Sequence, residues 1–485
     1  MPRQFVRCPP EPSFVAGFER IRDELDIPPR FPAPVLDAAD DADRRGPLIP
    51  PGADPSTRDC RDLELIAIDP AGSTDLDQAF GAEPIAAGYR VHYAIADVAA
   101  FVEPGGTIDD EARTRGLTLY SPDRRTSLHP EVISEGAASL LAGEERRALL
   151  WTIDVDGDGT LLDATVERAT VRTSRQMSYR EAQAESARAA ADSVLGLLRR
   201  IGELRQEQEA DRGAVSLALP TQEVVGTGDG AFAVEYDDTL PIEGWNAQIS
   251  LLTGIAASKI MLDVGVGLLR TLPPPEDRTV TRLRRTARAL GLSWPDDVGY
   301  AERIRELRPD SPEEAALLSQ AARGLRGAGY VAFADADHPD QPRHAAIAST
   351  YAHVTAPLRR LCDRFGNEIV LAHCAGRTPP VWAVEALDEL PGQMGRARQR
   401  DRSLERAVID YVEAVTLMPL VGQRFRAVVT DVNDERNRAR VQLRSPAVVA
   451  HVTTDGLTLG DDVALRLDDA DPQERSVTFS VIDVA

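Results

Sequence analysis

Lysine is almost missing from this chain: Lys259 is the sole one among 55 Lys+Arg residues. Genomic base composition accounts for that bias as readily as function does. Positive charge as a whole is short, with 55 basic against 78 acidic side chains and a net charge of −23. A polybasic or histone-like binder of polyanions is excluded, whereas a nucleic-acid enzyme with a local positive channel is not. Long apolar runs are lacking too. No stretch of about 20 apolar residues occurs, so no transmembrane helix is expected. The segment from Met1 to Ala16 is polar and proline-rich, without an apolar signal core, and a cytoplasmic location is expected. Cysteine is sparse. Cys8, Cys60, Cys362 and Cys374 form no CxxC pair, so free thiols are expected rather than a disulfide framework or a zinc site.

What is present is an ordinary globular balance, 43% apolar and 27% charged over 485 residues. At roughly 150 residues per domain this bounds the chain at about three domains, or one large catalytic body with small additions. Residues 1–58 are rich in Pro, Asp and Arg. Phe14–Leu25 reads as a helix, and the rest reads as an extended arm too short and irregular for a β-barrel. From Leu63 the texture changes: LELIAI is a buried strand and RVHYAIADVAAFV a second. LLWTIDVDGDGTLLDATVERATV reads as a hairpin about Asp156–Gly159. Helices follow at about 179–209, and strands return near VVGTGDGAFAVEY. Further helices are expected at 242–263, 276–291, 312–327, 357–373 and 382–417. The last segment alternates in five short stretches, RFRAVVTDV to RSVTFSVIDV, the pattern of a small OB-type barrel.

Two motifs are look-alikes. DVDGDG at 154–159 imitates an EF-hand loop, but its twelfth position is Thr165 and its flanks are strands. GTGDG at 226–230 opens no helix and reads as a turn rather than a dinucleotide loop.

The strongest local signal is LELIAIDPAGSTDLDQAF. A strand ends on Asp69, Pro70 and Gly72 turn the chain, and Asp75 and Asp77 follow two apart. In an extended stretch both carboxylates point to one side. Clustered carboxylates raise one another's pKa unless a cation sits among them, and an all-oxygen set suits Mg²⁺ or Mn²⁺. A solvated Asp-rich turn fits the residues equally well.

This segment resembles the signature of the RNB-type exoribonucleases, the ribonuclease II and ribonuclease R family. The similarity continues through VHYAIADVAAFVEPGGTIDDEARTRGLTLYSPDRR, LHPEVISEGAASLLAGEERRALLWTIDVDGDG, YAHVTAPLRRLCDRFGNEIV and RSLERAVIDYV, over about residues 58–418. It implies an α+β fold, with a mixed-sheet catalytic core surrounded by helices. Three domains are then expected: a proline-rich arm at 1–58, the RNB catalytic domain at 59–418 and an OB-type barrel at 419–485. Asp69, Asp75 and Asp77 match three of the family's four metal-site aspartates. Arg359 matches the arginine at the scissile phosphate, with Arg360 beside it. Tyr120 matches an aromatic that holds the 3′-terminal nucleotide, and Glu405 an acidic residue near its sugar. Asp77 and Arg359 are thus the expected catalytic pair.

Elementary helix signals agree for Arg359. Thr355 is a plausible N-cap, Pro357 falls in the first turn, and Leu358, Leu361, Phe365 and Ile369 form an apolar stripe that leaves Arg359 off the core face. The competing reading is a surface pair with Asp363, worth about 0.3–0.5 kcal/mol.

The chain departs from the family at several positions. Gln78 stands where a fourth aspartate is usual, and can reach a cation only through a neutral carbonyl. Ser250 and Leu251 replace paired glutamates, RTLPPP lacks a histidine, and Ala356 replaces a serine. Metal affinity is expected to fall, with one of two ions lost or weakly held. The expected function is hydrolysis of single-stranded RNA from the 3′ end to nucleoside 5′-monophosphates, with Mg²⁺ or Mn²⁺, by a monomer that takes neither DNA nor a membrane as partner. The alternative is a weak or inactive homologue that binds RNA or protein.

Overall fold

The computed structural model describes residues 12–215, 222–228, 231–236, 239–308, 311–322, 324–335, 337–433, 437–443, 445–454 and 456–484. Cys8 and the tip of the 226–230 turn lie outside them. In chain order the helices are α1 (Pro12–Glu24), α2 (Ala33–Arg45), α3 (Thr107–Arg115), α4 (Tyr179–Ser186), α5 (Val194–Asp211), α6 (Pro241–Val264), α7 (Asp277–Ala289), α8 (Tyr300–Glu306), α9 (Pro312–Ala322), α10 (Leu361–Cys374), α11 (Val381–Glu385) and α12 (Leu390–Leu417). The first eight strands are β1 (Arg58–Asp59), β2 (Leu65–Asp69), β3 (Gln78–Ile85), β4 (Gly88–Ala96), β5 (Leu119–Tyr120), β6 (Arg125–Thr126), β7 (Glu145–Asp156) and β8 (Leu161–Ser178).

Six of these form the central mixed sheet, in the order β1-β8-β2-β3-β4-β7. The long strand β8 pairs antiparallel with β7 through its first part and parallel with β2 through its last, so the pairing runs in a ring. Both faces of the sheet are covered. Along β2, Ile66 and Ile68 enter one core with Trp151 and Phe365, while Leu65 and Ala67 enter a second with Leu76 and Leu150. That is why LIAI reads as a continuous apolar run: alternate residues face two different interiors. The β7–β8 hairpin turns at Asp156, whose Oδ1 accepts from the backbone N of Asp158 (3.0 Å) and Thr160 (2.8 Å). Its carboxylate closes a turn, as expected for the DVDGDG look-alike.

The N-terminal segment departs from the extended arm. Besides α1 it forms a second helix, α2, which opens with a proline in its first turn and buries Val35, Ala39 and Ala42. These small residues recur at helical spacing but carry little apolar signal, and the surrounding prolines mask them. Helix α1 buries Phe14, Phe18 and Ile21, one stripe at i, i+4 and i+7. Phe14 and Phe18 make edge-on ring contacts with Phe232 and Tyr411. Gly17 lets the helix approach: a Cβ there would lie 2.0 Å from the Tyr411 ring.

Helix α6 bears on the expectation drawn from apolar runs. It is long and apolar enough, by length and composition, to cross a membrane. Ile242, Trp245, Ile249, Leu252 and Met261 bury into the main core instead, where α6 packs on α5 and α10.

Strands β9 (Gln222–Gly228) and β10 (Ala231–Tyr236) form a hairpin, β11 (Gly267–Thr271) pairs with β12 (Gly329–Phe333), and β13 (Arg343–His344) pairs with β14 (Ser349–Thr350). The last five strands, β15 (Arg424–Asn433), β16 (Arg438–Leu443), β17 (Val449–Val452), β18 (Asp462–Asp471) and β19 (Ser476–Val484), form one antiparallel sheet in the order β17-β16-β15-β18-β19. Strand β17 packs back on β19, giving a nearly closed OB-type barrel around Val429, Val441, Val463 and Leu465. The fold is α+β, as the sequence implies.

Candidate active site

The aspartate loop is held from below. Leu76 is fully buried in the second core, so Asp75 and Asp77 on either side of it turn the other way. Ser139, also fully buried, accepts from Leu76 N (2.9 Å) and donates to Thr74 O (2.7 Å). Ala96 N donates to Asp77 O (2.9 Å), which starts β3 at Gln78. Strand β3 begins only at Gln78, and the preceding loop is held by bonds to Ser139 and Ala96.

Asp69 ends β2, and its carboxylate makes no hydrogen bond among the described residues. Burial pushes its pKa up to about 7, against the pull of Arg359 and with a push from Asp75. Asp77 is 4% exposed. Its Oδ1 accepts from Leu358 N (2.7 Å) and its Oδ2 lies 3.4 Å from Arg359 Nε. Burial still dominates, raising its pKa to about 8. Both are poorly solvated hard-oxygen donors of the chemistry a Mg²⁺-type ion takes, and both feel the charge of Arg359.

The other two expected ligands are committed elsewhere. Asp75 Oδ1 accepts from Arg125 Nη1 (2.5 Å) and its Oδ2 from the Tyr120 hydroxyl (3.3 Å). Gln78 Nε2 donates to Thr355 O (2.5 Å), and its Oε1 accepts from the Tyr93 hydroxyl (3.0 Å), which also bonds Ser250 Oγ (2.8 Å). Among the described residues, the carboxylates of Asp69, Asp75 and Asp77 do not form a group with ligand atoms all within 4.8 Å of one another. One such group does occur, His353, Cys362 and Asp363. It is a poor cation site, because Asp363 is forked by Arg360 and His353 Nδ1 bonds the Tyr330 hydroxyl (2.8 Å).

Arg359 reaches the site differently from the helix-cap expectation. Helix α10 begins only at Leu361, and Thr355 does not cap it. Residues 359–361 lie against Gly116–Thr118 instead: Thr118 N donates to Arg359 O (3.0 Å) and Leu361 N to Gly116 O (3.1 Å). This strand-like bridge holds the chain extended through Arg360 and fixes Arg359 beside the loop that carries Tyr120. Asp363 accepts from Ala356 N (2.8 Å) and from both arms of Arg360 (2.6 and 2.7 Å). The competing Arg359–Asp363 surface pair therefore does not form, and the Arg360 guanidinium is spent on Asp363 rather than offered to substrate. Arg359 stays half-exposed.

Tyr120 is also half-exposed. It lies opposite Arg125 in the β5–β6 hairpin, joined by a turn in which Ser121 N donates to Arg124 O (3.0 Å). Asp69, Asp75, Asp77, Arg359 and Tyr120 thus share one rim. Glu405 does not join them by any described contact. It is exposed on α12 and lines a cleft of about 1550 Å³ between that helix and the barrel, with Arg402, Arg406, Arg440 and His451. Arg125, Glu135, Ser139 and Tyr93 were missed by sequence reasoning. Only Arg125 left a signal: a turn over Ser121–Arg124 makes it the cross-strand neighbour of Tyr120.

A family model described as the RNB domain matches residues 57–374, and one described as the RNase II-type exonuclease C-terminal S1 domain matches residues 423–482. Ribonuclease R of Escherichia coli is 23% identical over 482 residues, covering 90% of this chain and 58% of that protein. The exosome complex exonuclease RRP44 homolog A of Arabidopsis thaliana is 27% identical over 343 residues, covering 66% of this chain and 36% of the relative. The chain thus spans about a third to three-fifths of the length of these relatives. Among solved structures, RNase R of Mycoplasma genitalium in complex with ribose-methylated single-stranded RNA superposes with a TM-score of 0.84 at 18% identity, covering 96% of this chain and 78% of that one. Yeast Ssd1, described as a pseudonuclease, superposes with a TM-score of 0.64 at 16% identity, covering 85% and 53%.

Proposed function

The chain belongs to the RNB family, and from that premise we propose that it is a 3′→5′ exoribonuclease. It hydrolyses single-stranded RNA to nucleoside 5′-monophosphates with the help of Mg²⁺ or Mn²⁺. The observation that carries this reading is the convergence of Asp69, Asp77 and half-exposed Arg359 on one rim beside half-exposed Tyr120. Asp69 and Asp77 would hold the divalent ion, which when bound would supply a nucleophile at neutral pH and stabilise charge on the phosphodiester oxygens. Arg359 turns one edge to Asp77 and keeps further N–H donors free for a phosphate, whose developing charge it stabilises. The Tyr120 ring offers a face for the terminal base, a contact worth about 1–3 kcal/mol per base. The relatives named ribonuclease R and the neighbours solved with single-stranded and double-stranded RNA support an RNA substrate.

Gln78 favours a second reading, a weak or inactive homologue that binds RNA or protein. Its amide adds no charge, and a neighbour of similar fold is described as a pseudonuclease. Incubating the full chain with 5′-labelled poly(A) and either ion separates the two. A ladder that shortens from the 3′ end and disappears in Asp77→Asn supports the exonuclease. Binding of RNA without turnover under both ions overturns it and leaves the second reading.

A further inference from the structure

We propose that Arg125 is a built-in cation of this centre: it occupies the Asp75 side, and the chain takes up a single divalent ion, on Asp69 and Asp77. The inference deepens the exoribonuclease reading and rests on it only in taking a divalent ion as the ligand.

The Arg125 guanidinium is held on three sides. Nη1 meets Asp75 Oδ1 at 2.5 Å, while Nη2 meets Glu135 Oε2 at 2.5 Å and Thr74 Oγ1 at 2.6 Å. Thr74 Oγ1 in turn donates to Glu135 Oε2 (2.6 Å), which closes the ring. With the Tyr120 hydroxyl on its Oδ2, Asp75 has a partner on each oxygen. The hairpin carrying Arg125 is itself anchored, because Asp123 in its turn accepts two bonds, each 2.8 Å, from the buried Arg22.

A guanidinium keeps its charge at every working pH and at any ion concentration, and its planar fork matches a carboxylate. It therefore offsets part of the charge of Asp75 and Glu135 under all these conditions and keeps Asp75 Oδ1 occupied. A divalent ion arriving there must either displace Arg125 from three partners or sit beside a like charge in a half-buried setting where screening is weak.

Gln78 independently removes the other route to a second ion. Its amide is engaged at both ends, through Thr355 O and the Tyr93 hydroxyl. Tyr93 is 1% exposed and bonds Ser250 in turn, so the chain Thr355–Gln78–Tyr93–Ser250 is a neutral tether, buried at Tyr93 and half-buried at Gln78 and Ser250. Asp69 and Asp77 remain, and they suffice for one ion whose other positions are filled by water and substrate.

The test is a Mn²⁺ titration of the full chain, counting bound ions by the loss of the free-ion EPR signal. One ion per chain is expected for the wild type and for Arg125→Lys, which keeps the charge. In Arg125→Gln the Asp75 carboxylate is released, and a second ion is expected to bind about tenfold or more tighter than any second ion in the wild type. Two wild-type ions with dissociation constants within about tenfold of each other overturn the proposal. So does an Arg125→Gln isotherm that superposes on the wild-type one. Should Arg125→Gln fail to fold, Asp75→Asn decides. A one-ion isotherm within about threefold of wild type supports the proposal, and a loss of about tenfold or more makes Asp75 an ion ligand and overturns it. RNA shortening by a wild type that holds two ions leaves the exonuclease reading standing and removes this one. A wild type that binds no ion and shortens no RNA removes both.

Discussion

Asp123→Ala tests the anchoring of the Tyr120–Arg125 hairpin most directly. Arg22 comes from the N-terminal helix α1 and is 1% exposed, while the Asp123 side chain is 12% exposed. Two parallel 2.8 Å bonds join them, and Arg22 Nε is already buried without a partner among the described residues. Removing the carboxylate leaves an enclosed guanidinium with no counter-charge, a situation that costs about 3–5 kcal/mol. Arg22→Met is expected to cost less, about 2–3 kcal/mol, since Asp123 lies nearer the surface and can be rehydrated. The double variant Arg22→Met/Asp123→Ala removes both charges and is expected to lie within about 1–2 kcal/mol of wild type, because neither partner is then left buried and unpaired. Urea unfolding of the four proteins gives the cycle. Steady-state rates on a short RNA should show KM rising in Asp123→Ala more than kcat falls, because Tyr120 loses its support while Asp69 and Asp77 do not. An Asp123→Ala protein within about 0.5 kcal/mol of wild type, or a double variant as unstable as the sum of the singles, refutes the argument.

Three further outcomes follow from the same structure. Gln78→Glu turns a donor facing Thr355 O into a carboxylate oxygen, which should destabilise the chain by about 1–3 kcal/mol at pH 8. The loss should shrink towards pH 5, as the new carboxyl protonates and can donate again; a pH-independent urea midpoint difference refutes it. Burial raises the Glu413 pKa to about 7, above the unfolded value of about 4.3, so the folded state keeps a proton the unfolded state has lost in that window. Stability therefore falls as pH rises from about 4.3 to 7, and Glu413→Gln, which can still accept from Gln222 and Val449 N, should become stabilising relative to wild type as pH rises. A difference that stays flat from pH 5 to 8 counts against it. Tyr120→Phe keeps the ring and should leave KM within about threefold, whereas Tyr120→Ala should raise it by the stacking term of about 1–3 kcal/mol. Equal KM values for the two variants dismiss the stacking role.

Much of the scaffold was legible because its signals are local. A continuous apolar run marked β2, buried on both faces, and alternation marked β4 and the five barrel strands. The turn at Pro70–Gly72 and the Asp75–Leu76–Asp77 spacing marked the loop, and Leu76 is the buried residue that turns its neighbours outward. Helix α2 was hidden because Val35, Ala39 and Ala42 bury little surface each and the prolines around them read as extended chain.

The sequence by itself determined which carboxylates crowd one strand end, that an arginine lies near the start of α10, and that a five-stranded barrel closes the chain. Only the tertiary structure decided which of these groups are free to act. Arg359 faces Asp77 while Arg360 is consumed by Asp363, because a strand-like bridge to Leu117 delays the helix to Leu361. Asp75 is engaged by Arg125, 50 residues away in the chain. Apolar α6 lies in the core because α5 and α10 cover it. Periodicity reports the face a residue takes on its own element. Charge compensation and burial depend on what other elements bring against that face, and no local pattern encodes that.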